Sequence, residues 1–577
     1  MSDLSSFRDL EFPLNVYAGA QYLEYGKVKY LHYGLFTDDE TSLEQAQQHS
    51  TDLILARLPS PPCRILEVGI GVGTTCRELT RRGYQVTGIT PNGAQLALAR
   101  AGNGADTYLI QTRFEDVYAP AAPYHVILFQ ESAQYIDPLE LFSRCYNLLA
   151  EDGLVLMLDQ VALQYTEPHK ENPHLLGNLQ SIGERCGFEL REQLDLSMQA
   201  ASTLDHILRL VQNHRAPIQA GLGLKEHQLD SLRAANRAVQ KKYISGLYGY
   251  ALLRFTKKTN RRWRVTPAER DEQSALRALF KTVFADDMSA EFWQWKYGEG
   301  RGQGVIGWRD DKIVAHYGGI TKPILYLGEP QLACQICDVM VHPSERAVLT
   351  KQGPFFLTAA SALEAWLGYG ARHLLGFGFP DKRVMGLAEK LGLYGEVGRM
   401  KAVHWTHLPR ITKPRAHFRK LQSARDQELV DRLWLQMASD LRDGIVGVRD
   451  WSYIQHRYLS HPHKQYDVLL ISDLSGHEQV GVVVLRKDGD NCELLDVIGP
   501  LNNIAQLVRH VLQLAGDWGM QELFCWIPEY HAHRFVTDGA EIRELDVSIP
   551  ANIWTNGPDV EQLHNRWWLM SGDTDFH

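Results

Sequence analysis

At 577 residues the chain is too long for a single hydrophobic core, and roughly 100–200 residues per domain implies three or four domains. Its 44% apolar and 22% charged residues are ordinary for a globular protein, and a net charge of −9, from 60 basic and 69 acidic side chains, gives no electrostatic reason to expect nucleic acid or an anionic membrane as partner. No apolar run reaches the roughly 18–20 residues of a membrane span, and Met1 to Ser6 lacks the basic and apolar stretches of a secretory signal, so a reduced, cytoplasmic setting is expected.

In chain order, residues 1 to about 55 read as helical and carry an aromatic series, Tyr17, Tyr22, Tyr25, Tyr30 and Tyr33. Short apolar strands are then predicted at 64–68, 85–90, 107–111, 126–130 and 154–158, with amphipathic helices at 74–82, 93–101 and 138–149 between them. That alternation indicates βαβ units and a parallel, doubly wound sheet. Strands at 188–195 and 248–255 follow, with helices near 200–215 and 226–246 placed to cover a site. Residues 257–264 are polar and basic without apolar periodicity and read as a linker, and a second one lies at 408–414 between Pro409 and Pro414. The predicted domains are 1–258, 265–407 and 416–577. The last two share a plan: a Trp/Tyr-rich element (Phe292 to Tyr297, Trp451 to Tyr458) and then strands, which suggests a duplicated fold. Eight cysteines are scattered; Cys334 and Cys337 form a lone CxxC, and with no second pair at similar spacing they read as small strand residues rather than a zinc site.

Ile65-Leu-Glu-Val-Gly-Ile-Gly-Val-Gly73 places an E-x-G-x-G-x-G loop directly after a strand and before a helix. Glycines there let the backbone turn tightly and let a ligand lie against it. Such a loop alone also fits a dinucleotide site, which expects an acid at the end of the second strand for the ribose hydroxyls. Here that strand ends Val86-Thr-Gly-Ile-Thr-Pro-Asn-Gly-Ala-Gln95, without an acid.

The two segments together resemble class I S-adenosylmethionine (SAM) methyltransferases, in particular the branch of cyclopropane synthases and small-molecule methyltransferases. The resemblance implies that Glu67, Gly69, Gly71 and Gly73 line the methionine and ribose portion of SAM, with Thr90 and Gln95 at the ribose. Phe114 would stack near the adenine and Glu115 accept from its amine, while Gln130 and Glu131, at the end of the fourth strand, abut methionine and substrate. Tyr33, in Tyr30-Leu-His-Tyr-Gly-Leu-Phe36, is placed to face the sulfonium, for which an aromatic face is suited; packing of a helix is the competing reading. Methyl transfer needs positioning and exclusion of water, and a base only if the acceptor loses a proton. Glu131 and His32 are the candidates, with helix capping the competing role for Glu131. Cyclopropanation is not predicted.

Residues 265–405 resemble GNAT acyltransferases. The features are a hairpin turning at Arg309 to Lys312, the strand Asp338-Val-Met-Val-His-Pro343, a helix from about Gly353, a strand in 374–381 and the helix end Leu387-Ala-Glu-Lys-Leu-Gly392. The resemblance implies acetyl-CoA or another acyl-CoA, held near Val341, Arg346 and Gly353. Spacing in Arg346 to Phe355 departs from the family, and Pro354 removes an amide donor. An acyltransferase, a GNAT fold turned to another reaction such as decarboxylation, and a substrate-presenting domain all stay open. The third unit resembles the second half of tandem GNAT proteins; its tail carboxylates Asp573 and Asp575 read as surface charge.

The predicted fold class is thus α/β, a Rossmann-like doubly wound methyltransferase domain followed by two GNAT-like α+β domains. The expected function is bifunctional: methylation of a small molecule and acyl transfer to the same molecule or pathway. The alternative is a methyltransferase alone, whose other half presents a sugar-linked or carrier-protein-bound substrate. No metal and no nucleic acid is expected, and the sequence fixes neither acceptor atom nor oligomeric state.

Overall fold

The computed structural model describes residues 4–38, 40–102, 107–165, 173–258, 261–408 and 416–574. Its contacts separate a first unit, reaching Pro267, from a second beginning at Ala268. In the first, β1 (Arg64–Val68), β2 (Gln85–Thr90), β3 (Tyr108–Gln111), β4 (Tyr124–Gln130), β5 (Leu149–Ala162), β6 (Phe188–Asp195) and β7 (Tyr248–Lys257) form one sheet in the order β3-β2-β1-β4-β5-β7-β6, and β8 (Arg264–Pro267) ends the unit. β1 to β5 are parallel and β7 runs antiparallel to both neighbours. Val126 to Phe129 of β4 are fully buried, as expected of a central strand covered on both faces.

The predicted strands and helices of 64–158 are all present, but the helical reading of 1–55 is corrected. Among the described residues, α-helices there span Leu14–Tyr25 and Leu43–Leu55, with a single 3-10 turn at Ser5–Phe7. Gly26, at φ 72°, ends the first in the left-handed conformation, and Ser42 opens the second with a capping box. Between them Gly34 lies so close to the second helix that a Cβ would stand 2.5 Å from that of Ala46.

The second unit holds β9 (Gly302–Arg309), β10 (Lys312–Tyr326), β11 (Glu329–Val341), β12 (Leu375–Phe377), β13 (Tyr394–Trp405), β14 (His417–Lys420), β15 (Ile445–Gly447), β16 (Asp467–Ser472), β17 (Gln479–Asp488), β18 (Asn491–Ile498), β19 (Glu522–Pro528), β20 (Ala540–Asn552) and β21 (Trp567–Trp568). The predicted hairpin is β9–β10. One sheet runs β12-β11-β10-β15-β21 with β9 also on β10; the other runs β14-β16-β17-β18-β19-β13-β20. The two halves therefore exchange strands: β13 pairs with β19 and β20, while β15 pairs with β10 and β21. Cys334 and Cys337 both lie buried on β11. Residues 259–260, 409–415 and Asp575, on which parts of the linker and tail readings fall, lie outside the described residues. Among the described residues no helix is long and apolar enough to cross a membrane.

Candidate active site

The strand order of the first unit reverses between β1 and β4, and in an open parallel sheet ligands sit in the crevice beyond the carboxyl ends of the strands at such a reversal. Both loops bordering it carry left-handed backbone. After β1, Gly69, Gly71 and Gly73 have φ of 79°, 52° and 76°. A Cβ on Gly69 would meet that of Ser132 at 2.5 Å, whereas a Cβ on Gly71 would meet nothing within 4 Å. Gly71 thus borders open space, next to the helix Thr74–Arg81 that Gly73 caps. Two buried polar atoms close by, Oε2 of Glu67 and Nε2 of Gln130, have no hydrogen-bond partner. Burial pushes the Glu67 carboxyl up to about 7.

After β4, Glu131 holds φ 57° without being glycine, a strained state that its surroundings fix. Its N–H donates to the Leu158 carbonyl at 2.9 Å. Its Oε1 accepts from the Tyr250 hydroxyl at 2.6 Å and, in a short hydrogen bond, from the Tyr33 N–H. Burial pushes the Glu131 carboxyl up to about 8, against the lowering effect of these two donors. Glu131 caps no helix: Asp137 accepts from the N–H groups of Leu139 and Glu140 at 2.9 and 3.2 Å instead. The Tyr33 and Tyr250 rings lie parallel, centroids 5.8 Å apart.

His32 is occupied elsewhere. Its Nδ1 lies 2.9 Å from the Tyr33 carbonyl and its Nε2 3.4 Å from the Thr51 hydroxyl, and burial lowers it to about 4. Thr90 and Gln95 come together at the end of β2, where the Thr90 hydroxyl donates to Gln95 Oε1 at 2.9 Å. Phe114 is 2% exposed and packs edge-on against Phe129, centroids 5.3 Å apart. Glu115 pairs with Arg113 at 2.6 Å.

Two residues escaped the sequence reading. Tyr250 lies on β7 and no local pattern marks it. Asp159 is the first polar residue after the apolar run 154–158 of β5, a signal that was available. Asp159 Oδ2 accepts from the N–H groups of Ala133 and Gln134 at 2.8 and 3.3 Å and so holds the turn that follows Glu131; burial pushes its carboxyl up to about 7.

A family model described as a methyltransferase domain matches residues 66–157, and one described as an acetyltransferase (GNAT) domain matches residues 264–349. The chain joins a methyltransferase domain to a GNAT domain. A methyltransferase of Geobacillus sp. (strain WCH70) is 34% identical over 100 residues, 16% of this chain and 40% of its own length. The malonyl-[acyl-carrier protein] O-methyltransferase of Enterobacter lignolyticus (strain SCF1) is 28% identical over 113 residues, 19% of this chain and 45% of its own. The chain thus spans about two-fifths of these relatives' lengths. The structure of the cyclopropane synthase MmaA2 from Mycobacterium tuberculosis is similar at 18% identity and a TM-score of 0.38, covering 44% of this chain and 97% of its own.

In the GNAT domain, the helix Ala290–Tyr297 brings Lys296 to 2.8 Å from Asp338 on β11, and the Tyr297 hydroxyl donates to Asp338 at 2.5 Å. Burial pushes the Asp338 carboxyl up, but the Lys296 ammonium and these hydrogen bonds outweigh it and hold the group below the ordinary range. Asp338 borders a cavity of about 1350 Å³, with Val341 and Arg346 also in its wall. Gly353 is placed differently: a Cβ there would stand 2.0 Å from the Val348 carbonyl oxygen, so the loop's own backbone fills the space. Pro354 opens the helix Pro354–Trp366.

In the second half of this unit, Tyr458 and Asp496 repeat the Tyr297–Asp338 pair, the hydroxyl donating at 2.9 Å. There the surface-charge reading of Asp573 is corrected. Asp573 is buried, and Arg449 bonds both Asp496 at 2.9 Å and Asp573 at 2.5 Å. A buried carboxylate needs such a partner, and Asp573 is the second ligand of a buried guanidinium.

Proposed function

We propose that the chain is a SAM-dependent methyltransferase for a small molecule, with domains at 1–258, 265–407 and 416–577. The two later domains take a CoA thioester and transfer its acyl group to the same molecule or to one close to it in the reaction sequence. The carrying observation is the open glycine cradle at Gly71 beside the buried, unpaired atoms of Glu67 and Gln130. A ligand that enters an open cradle and satisfies orphaned polar atoms recovers their desolvation cost. Glu67, Gly69, Gly71, Gly73, Thr90, Gln95 and Gln130 would hold the methionine and ribose portions of SAM, and Phe114 and Glu115 the adenine end. When bound, SAM supplies a methyl group on an electrophilic sulfonium.

The remaining work falls to the chain. Tyr33 and Tyr250 are positioning residues that fix Oε1 of Glu131. Its Oε2 then receives the proton that an acceptor loses as it gains the methyl group, a role suited to a carboxyl poised near 8. Asp159 holds the backbone behind it.

A second reading keeps methyl transfer alone, with a GNAT half that presents a substrate, including one borne on a carrier protein. What favours it is the loop that fills the space at Gly353 and the donor missing at Pro354.

Calorimetric titration with S-adenosylhomocysteine tests the cradle. Both Gly71→Ala and Gly71→Leu meet the strain of φ 52°, but only leucine fills the space. Leucine is expected to weaken binding by a further tenfold to hundredfold, the cost of overpacking. Equal affinity in the two variants overturns the assignment. Mass analysis of products formed from labelled SAM identifies the acceptor.

A further inference from the structure

The cavity beside Asp338 has features that an acetyl group leaves unexplained. At about 1350 Å³ it exceeds the roughly 300–1,000 Å³ of ordinary small-molecule sites. Three large apolar side chains in its wall are also open to solvent: Phe284 at 47%, Leu349 at 60% and Val384 at 42%. Exposed apolar side chains gathered around one cavity suit a ligand that covers them.

Several acids of the same wall are already engaged, while three of its bases, all on one helix, are not in ion pairs among the described residues. Glu345 pairs with Arg309, Asp287 with Lys281, and Asp381 caps the helix Lys382–Lys390 by accepting from the Val384 N–H. Lys382, Arg383 and Lys390 line the cavity and make no ion pair among the described residues. Lys382 and Arg383 also occupy the first turn of that helix, the positive end of its dipole, where cations are unfavourable and an anion is stabilised.

We propose that this cavity takes a long acyl chain, seated against Phe284, Leu349 and Val384, whose anionic carrier is met by Lys382, Arg383 and Lys390. Resting on the reading of the second unit as a binder of CoA thioesters, it makes the acyl group a fatty one rather than acetyl. Each methylene that enters the apolar wall tightens binding about fourfold.

The test is calorimetry on the full chain with CoA, acetyl-CoA, octanoyl-CoA, dodecanoyl-CoA and dodecanoate, below their micelle concentrations. Octanoyl-CoA is expected to bind at least tenfold tighter than acetyl-CoA, and dodecanoyl-CoA tighter still. Leu349→Asp with Val384→Asp should flatten that gradient; Leu435→Asp, at an exposed site outside this cavity, should not. Lys382→Ala with Arg383→Ala should weaken every thioester by a similar factor. Equal affinity for acetyl-CoA and dodecanoyl-CoA, or a gradient that survives the Leu349 and Val384 changes, overturns the inference and leaves the CoA reading standing. Binding of dodecanoate without any thioester keeps the acyl-chain site and removes CoA. If nothing in the series binds, both fall.

Discussion

In the first unit Glu67 and Asp159 lie buried and Glu131 half-buried, with no cation at ion-pair distance among the described residues, whereas in the second Asp338 rests against Lys296 and Asp496 shares Arg449 with Asp573. In the first unit burial raises these carboxyls without a cation beside them, and in the second a cation stands against each of the three. A carboxyl raised to about 7 or 8 can exchange a proton at neutral pH. The contrast separates carboxyls without a cationic partner from carboxyls that have one. Within the second unit the two sites differ again. Asp338 opens onto a cavity, but the equivalent Asp496 is sealed by the turn Ser571–Asp573, where a Cβ on Gly572 would stand 2.1 Å from the Tyr458 hydroxyl.

The largest effect expected from this comparison is on rate. Glu131→Gln should lower kcat about 10²- to 10⁴-fold for an acceptor that loses a proton and abolish the rise in activity that otherwise centres near pH 8. A steady-state pH profile that keeps this limb breaks the assignment of proton transfer to the first unit. Next, Arg449→Met leaves Asp496 and Asp573 buried without a cation and should destabilise the second unit by about 3–5 kcal/mol in urea denaturation. Lys296→Met should cost less, about 1–3 kcal/mol, because one carboxylate rather than two loses its cation. An equal or larger loss there would overturn that order.

The smallest effect is on stability against pH, and its sign differs between the units. Glu67, Glu131 and Asp159 have folded values above the ordinary carboxyl value of about 4. Their contribution is complete below that pH and is lost as pH rises through 7 to 8. Asp338 is held below its ordinary value, so its contribution is present above about pH 4 and lost on further acidification. Unfolding followed by hydrogen exchange in each unit should therefore show the first weakening toward alkali and the second toward acid. Parallel profiles would count against the contrast.

What was legible in the sequence was what is local in the chain. The glycine loop, Thr90 with Gln95 and the βαβ alternation each lie within a few residues of one another, so spacing alone exposes them. Tyr250 reaches Glu131 across 119 positions and Arg449 reaches Asp573 across 124, and no periodicity records such meetings. The helical reading of the first 55 residues failed where Gly26 and Gly34 shape a strap that tertiary packing, rather than propensity, decides. β15 and β21, three and two residues long, are too short to carry a period of two.

The exchange of β13 against β15 and β21 governs how this protein can be taken apart. A cut between Trp405 and His417 would not yield two modules: each fragment would carry a strand tailored to the other's sheet and lack one needed by its own. The orphaned edges would invite aggregation. Anyone grafting the second unit onto another protein must therefore move both halves as a single piece, for each sheet is completed by a strand from the other half and neither opens without disturbing both.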